Sequence, residues 1–202
     1  MRSPGKLLPL WILLQCLLCS PTSRAQTPAD VPVMKITREG SSVHFAVKAS
    51  VSVEGTFDQW DATLTFTSTD VSTGVLDVKI AADSVNTGSG MKNGKLKGKD
   101  FFDVKQNPYI TFHSTKVIET GPTTFELPGT FTIRGVSRPE TLTFEVTGRG
   151  SGEGEIKGTM AFDRSDYGMN SGIPFIKVAD RVEVSVDLKG KRVSGPPLVF
   201  KQ

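Results

Sequence analysis

Cysteine is scarce in this chain, with two among 202 residues, Cys16 and Cys19, both near the N-terminus. Histidine is equally scarce, with only His44 and His113. No cysteine follows residue 19, which rules out a disulfide, a thiolate nucleophile or a Cys-based zinc site in the rest of the chain. The two histidines have neither His-x-His nor His-Glu-x-x-His spacing, so no metal centre is expected. There is no Gly-x-Ser-x-Gly elbow, and the serines cluster in turns. Gly88-Ser89-Gly90 lacks the apolar helix that would aim amides at a phosphate. Nothing places an acid, a base and a substrate together, and the chain is expected to be neither an enzyme nor a cofactor carrier.

Long hydrophobic runs are also missing, with one short exception. Arg2 and Lys6 precede an apolar run from Leu7 to Cys19, and Ser23 and Ala25 supply small residues before Gln26. At about 13 residues the run falls short of the roughly 20 needed to span a bilayer. The pattern predicts a secretory signal at residues 1–25, cleaved before Gln26, and hence a periplasmic or extracellular protein with no stable membrane insertion. Neither Cys16, after Gln15, nor Cys19, after Leu18, follows the small residue that lipid attachment favours. The leader holds three basic residues and no acidic ones, so the chain beyond it carries 21 basic and 21 acidic residues. A neutral chain offers no field for wrapping nucleic acid.

What the sequence does have is alternation. Leu76, Val78 and Ile80 share one parity, as do Phe131 and Ile133, then Leu142, Phe144 and Val146, and finally Val182, Val184, Val186 and Leu188. Turn residues interrupt the pattern at strand-length intervals. Strands are expected near 33–37, 42–57, 61–70, 74–83, 109–119, 123–134, 140–150, 153–164 and 181–189, the second long and bent. An antiparallel sheet must hide its edges, and closure into an eight-stranded barrel is the expected solution, with a two-sheet sandwich as the competitor.

One segment breaks the rhythm. Asp83 to Gln106 is rich in Gly, Ser, Asn and Lys, yet contains Leu96 and the pair Phe101-Phe102, which need burial. It is long for a hairpin connection. A partly helical flap over one barrel mouth fits, as does a surface crossover whose phenylalanines plug the end. Lys92, Lys95, Lys97 and Lys99 are either solvated or placed to attract an anionic head group. Twelve phenylalanines against two tyrosines suit a packed core or a cavity wall, and periodicity alone does not separate these. Arg164 shares the parity of Met160 and Phe162, which aims a guanidinium at the dry side. It is read either as an ion pair with Asp166 or Asp180, or as an anchor for a ligand head.

Four stretches carry a family resemblance. They are Val53-Glu54-Gly55-Thr56-Phe57; Lys99-Asp100-Phe101-Phe102-Asp103 followed by Asn107-Pro108-Tyr109-Ile110-Thr111-Phe112-His113-Ser114; Gly129 through Pro139 with its Gly135-Val136-Ser137-Arg138-Pro139 turn; and Asp163-Arg164-Ser165-Asp166-Tyr167-Gly168-Met169. In order and spacing they resemble the YceI-like family across about residues 31 to 190. The chain departs from that pattern at Ala49, where many members have histidine, and at Lys92-Asn93-Gly94-Lys95-Leu96, where the family usually shows Arg-Asp-x-x-Leu.

The resemblance implies a lipocalin-like barrel over residues 26–190 and leaves 191–202 as a flexible C-terminal tail. It also implies a bound polyisoprenoid or fatty-acid-like amphiphile, its tail in an apolar tunnel and its head near the flap. A packed β-module acting through its surface is the alternative, and a homodimer is an open expectation. The lining expected on this basis takes Phe45 and Phe57 from the first long strand, and Trp60, Leu64 and Phe66 from the next. The flap supplies Leu96, Phe101 and Phe102, and the strand after it supplies Ile110 and Phe112. Phe131, Phe144, Met160 and Phe162 complete the wall, with Arg164 as its polar member.

Overall fold

Alternating apolar and polar side chains dictate extended structure along nearly the whole chain. The computed structural model describes residues 31–50, 53–148, 152–171 and 178–200; the leader expected at 1–25 lies outside them. In chain order the elements are β1 (Val33–Ala49), β2 (Val53–Phe57), β3 (Trp60–Thr65), β4 (Val75–Ala81), β5 (Val85–Asn86), α1 (Gly90–Lys97), β6 (Tyr109–Ser114), β7 (Ile118–Glu119), β8 (Thr124–Ile133), β9 (Val136–Val146), β10 (Glu153–Asp163) and β11 (Val178–Ser194). They form one antiparallel sheet in the order β3-β4-β6-β8-β9-β10-β11-β1-β2-β5, with β7 added to β8. A single sheet disposes of the sandwich. Eight strands have six residues or more, and β2, β5 and β7 are short additions.

The sheet curls because its ends are tied. The chain passes from β2 to β3 through Asp58-Gln59 alone, and Arg38 of β1 reaches Asp61 of β3 at 2.8 Å, bringing opposite ends of the strand order together. The inner face then becomes a lumen filled by the alternate apolar residues of each strand. Ser114, like Tyr167, is fully buried although its side chain carries a polar group; its hydroxyl accepts the Leu76 N–H at 2.8 Å, just past the end of the β4–β6 ladder.

Two expected boundaries differ. The bent strand expected at 42–57 is instead two strands, and β1 begins earlier, absorbing 33–37 through a bulge at Gly40 (φ +71°), where Thr37 faces Lys189 but Ser42 faces Asp187. The chain also stays in the fold beyond residue 190. β11 continues to Ser194, Gly195 (φ +80°) turns the backbone, and Val199 joins Asp70 in a parallel bridge, donating to Thr69 O at 2.8 Å. Phe200 lies 6.1 Å from the Phe125 ring. Three consecutive apolar residues after Pro196-Pro197 explain this, since Leu198 and Phe200 gain by packing on the core.

Two features set the barrel's shape. Arg134-Gly135 joins β8 to β9 with φ of 55° and 74°, the left-handed pair that a two-residue hairpin of type I′ requires. Gly158 of β10 sits beneath an aromatic ring: a Cβ there would lie 2.7 Å from Phe144 and 2.6 Å from Val186. Gly158→Ala is therefore expected to overpack the wall and cost about 1–3 kcal/mol. In urea denaturation the midpoint should fall with an unchanged slope. An unchanged midpoint would show that the Phe144 ring moves aside freely.

Candidate functional site

At the end of the barrel where β4 leads into α1, the lumen opens into a cavity of about 80 Å³ with an apolar wall. Its sides come from Val43, Phe45 and Val47 of β1, Phe57 of β2, and Phe131 and Ile133 of β8. Two aromatic clusters flank it. On one side Phe57 lies 5.5 Å from Phe45 and 5.9 Å from Phe102; on the other Phe131, Phe162 and Tyr167 meet at 5.0 to 5.5 Å, two of the three contacts edge-on.

The roof is the flap. Ser89 caps α1 by accepting the Lys92 N–H, and Asn93 accepts from both the backbone and the hydroxyl of Thr87 at 2.9 and 2.7 Å. Asn93 therefore holds the flap's own entry turn. Leu96 points down, and the chain then wraps so that Phe102 N donates to Leu96 O at 2.9 Å, leaving Leu96, Phe101 and Phe102 buried over the cavity.

Arg134 pins this roof. Its guanidinium donates to Lys99 O at 3.0 Å and to Gly168 O at 2.9 Å, joining the β8–β9 hairpin, the flap and the turn after β10. Its Nε is buried without a partner. Alternation and composition did not single out Arg134, although it stands inside the Gly129–Pro139 motif; its signal was a non-glycine residue before Gly135 in a hairpin turn.

The expected lining residues separate into two groups. Phe45, Phe57, Leu96, Phe101, Phe102, Ile110, Phe131, Phe162 and Arg164 border the cavity. Trp60, Phe66, Phe112, Phe144 and Met160 are buried in the same core, and Leu64 is half-buried against it, but none of these six borders that cavity. Parity chose the inward face correctly; it carries no information about where along the lumen packing leaves space. The valines missed by a search for aromatics, Val43, Val47, Val53, Val178, Val182 and Val184, line it as well.

Arg164 sits at the cavity wall with its side chain largely covered. Two of its three nitrogens bond backbone carbonyls: Nε donates to Ala179 O at 3.1 Å, and Nη1 donates to Ser171 O at 3.0 Å and to Met169 O. Asp180 is 4.0 Å away, whereas Asp166 faces Arg138 at 3.7 Å. Of the two carboxylates expected as partners, Asp180 fits and Asp166 does not. Asp180 is held below the ordinary carboxylate range, chiefly by the Ser165 hydroxyl and amide with a contribution from Arg164. Tyr167 is fully buried and donates to Glu140 at 3.0 Å; burial, and next that carboxylate, push its phenol well above the usual range, so it remains a neutral donor. Both histidines face outward, His113 against Asp77 at 2.6 Å.

A second apolar cavity of about 100 Å³ lies at the other end, between Met34, Val146, Ile156 and the returning Leu198 and Phe200.

Comparison with known proteins places this geometry. The curated relatives include a UPF0312 protein of Pseudomonas savastanoi pv. phaseolicola, 29% identical over 133 residues, which cover 63% of this chain and 69% of the relative. Among solved structures, BcnA of Burkholderia cenocepacia superposes with a TM-score of 0.69 at 26% identity, over 77% of this chain and 99% of its own. A polyisoprenoid binding domain from Saccharophagus degradans, implicated in plant cell wall breakdown, shares the fold with a TM-score of 0.64 at 16% identity, over 80% and 99%. The model of the YceI-like domain matches residues 34–190, and with most of its length inside that match this chain belongs to the YceI-like family.

Proposed function

We propose that this protein is an exported, non-catalytic carrier that takes the tail of a polyisoprenoid or similar long-chain amphiphile into the flap-end cavity. The observation that carries the proposal is a cavity lined by apolar side chains except for Arg164 and roofed by Leu96, Phe101 and Phe102, three side chains that could give way to a chain of the same polarity. The polyisoprenoid-binding description of the Saccharophagus domain, which has the same fold, supports the choice of ligand.

Size sets the mechanism. About 80 Å³ is well below the roughly 300 Å³ at which ligand pockets begin, so a tail enters by lifting the roof and taking over its contacts. The exchange replaces one apolar contact with another, which keeps its free-energy cost small. The same small volume favours the second reading, a packed β-module acting through its surface, and binding decides between them.

A fluorescent isoprenoid alcohol is expected to bind the parent protein, and organic extraction of protein from its native host should yield a long-chain lipid. Phe57→Glu should abolish binding, because an unpaired carboxylate facing the lumen costs several kcal/mol. Circular dichroism confirms which variants fold, and Ile110→Ala, which removes wall contact without charge, gives a milder loss should Phe57→Glu unfold. Unchanged affinity in folded Phe57→Glu would leave the packed module standing.

Ligand should also order the roof. Amides from Gly88 to Phe102 are expected to gain hydrogen-exchange protection on saturation with lipid, while Val182 to Leu188 in β11 change little. Arg134→Lys should raise flap exchange in the free protein, since an ammonium cannot fork to both Lys99 O and Gly168 O. Identical exchange in all three states would make Phe101 and Phe102 static core. Export predicts an intact mass for the secreted chain that begins near Gln26 and carries no fatty acid.

A further inference from the structure

The flap has a second face, and its composition is unlike the first. Met91, on α1, is 88% exposed, the most exposed large apolar side chain among the described residues. Leu96 is five residues further on, about 140° around the helix, and points into the barrel. On the outer side a Cβ added at Gly88, Gly90 or Gly94 would meet nothing within 4 Å, so the helix backbone there is open to any flat surface that approaches.

Basic residues are frequent along this segment. Between Asn86 and Gln106 the chain holds Lys92, Lys95, Lys97, Lys99 and Lys105 against Asp100 and Asp103. Asp100 is taken up by Lys95 at 2.5 Å. Counted over the whole flap, Asp83 to Gln106, the five lysines face three aspartates, an excess of two positive charges in a chain that is balanced beyond the leader.

We infer that the outer face of the flap is a docking surface for an anionic lipid bilayer, with the lysines at the level of the lipid phosphates and Met91 inserted at the boundary between head groups and acyl chains. The commitment to a bilayer comes from pairing charge with apolar exposure. A nucleic acid would use the lysines without rewarding a bare methionine, and within the flap the aromatic rings, Phe101 and Phe102, are turned inward; an acidic protein partner is the outcome that a failure to bind vesicles would point to. The inference rests on the carrier reading for its purpose. With α1 against the bilayer, the cavity roof lies one helix thickness from the hydrocarbon, and a tail could pass between the two with little exposure to water.

Vesicle flotation with the full secreted chain tests this. The protein should float with phosphatidylcholine vesicles containing about a third phosphatidylglycerol and not with phosphatidylcholine alone, and binding should fall as salt rises from about 0.1 to about 0.5 M. At about fivefold for each basic residue near an anionic surface, the triple variant Lys92→Gln, Lys97→Gln, Lys99→Gln should bind about a hundredfold more weakly. Met91→Ser should bind several-fold more weakly with the same salt dependence. Equal binding to neutral and anionic vesicles, no binding to either, or a triple variant that binds like the parent would overturn the inference. So would a Met91→Ser protein whose affinity is unchanged while heparin competes fully, which would mark a general polyanion surface. Binding of the fluorescent isoprenoid is scored on the same preparations without vesicles. Its absence counts against the carrier, while the vesicle results decide the docking surface on their own.

Discussion

The flap end of this protein depends on the burial of Phe101 and Phe102 over an apolar lumen. Helix α1 could not stand alone: it is eight residues long, contains glycine at two positions, and falls below the length at which isolated helices form. It is held by what lies at its edges. Ser89 and Asn93 order its entry, Leu96 and the two phenylalanines hold its underside against the barrel, and Arg134 fixes the exit at Lys99. The hydrophobic term is non-directional, so the roof is stabilised by any apolar surface beneath it, protein or ligand. This is a reason for a lumen cover to be made of leucine and phenylalanine; a hydrogen-bonded lid would bind only one arrangement.

Charge is arranged to leave that lumen undisturbed. The cationic group that reaches its wall, Arg164, is bonded through Nε and Nη1 to backbone carbonyls with a carboxylate nearby, and the buried phenol, Tyr167, has Glu140 as acceptor. A guanidinium bonded in this way ties the turn after β10 to the start of β11. The cost of an unpaired polar group in such surroundings is what makes these bonds necessary.

Much of this was legible in the residues. Alternation located every long strand and assigned inward parity correctly at Phe45, Phe131 and Phe162, and the composition of 83–106 marked the flap. Three things were not legible, each for a physical reason. Parity names a face but not a height, so Phe112 and Phe144 could not be told from Ile110 and Phe131 without knowing where packing leaves space. A bulge shifts register without changing composition, which hid the continuity of β1 through Gly40. The return of Leu198 to Phe200 was signalled by three apolar residues after a Gly-Pro-Pro turn, but its partner, the loop at Asp70, is remote in sequence.

The two ends of the barrel are closed by different forces, and this gives the fold a direction. At the lower end the chain returns as backbone: Val199 donates to Thr69, and Val71 donates to Val199 O at 3.1 Å, so opening there breaks ladder bonds as well as packing. At the upper end, closure rests on side chains, the buried face of Leu96, Phe101 and Phe102 together with the fork of Arg134. Apolar surface that a lifted flap uncovers is shielded from water again as soon as a tail lies against it, whereas a broken backbone bridge has no substitute in an aliphatic ligand. A long-chain molecule therefore meets less opposition at the flap than at the C-terminal strap. On the carrier reading, a tail would enter at the closure that a hydrocarbon can imitate.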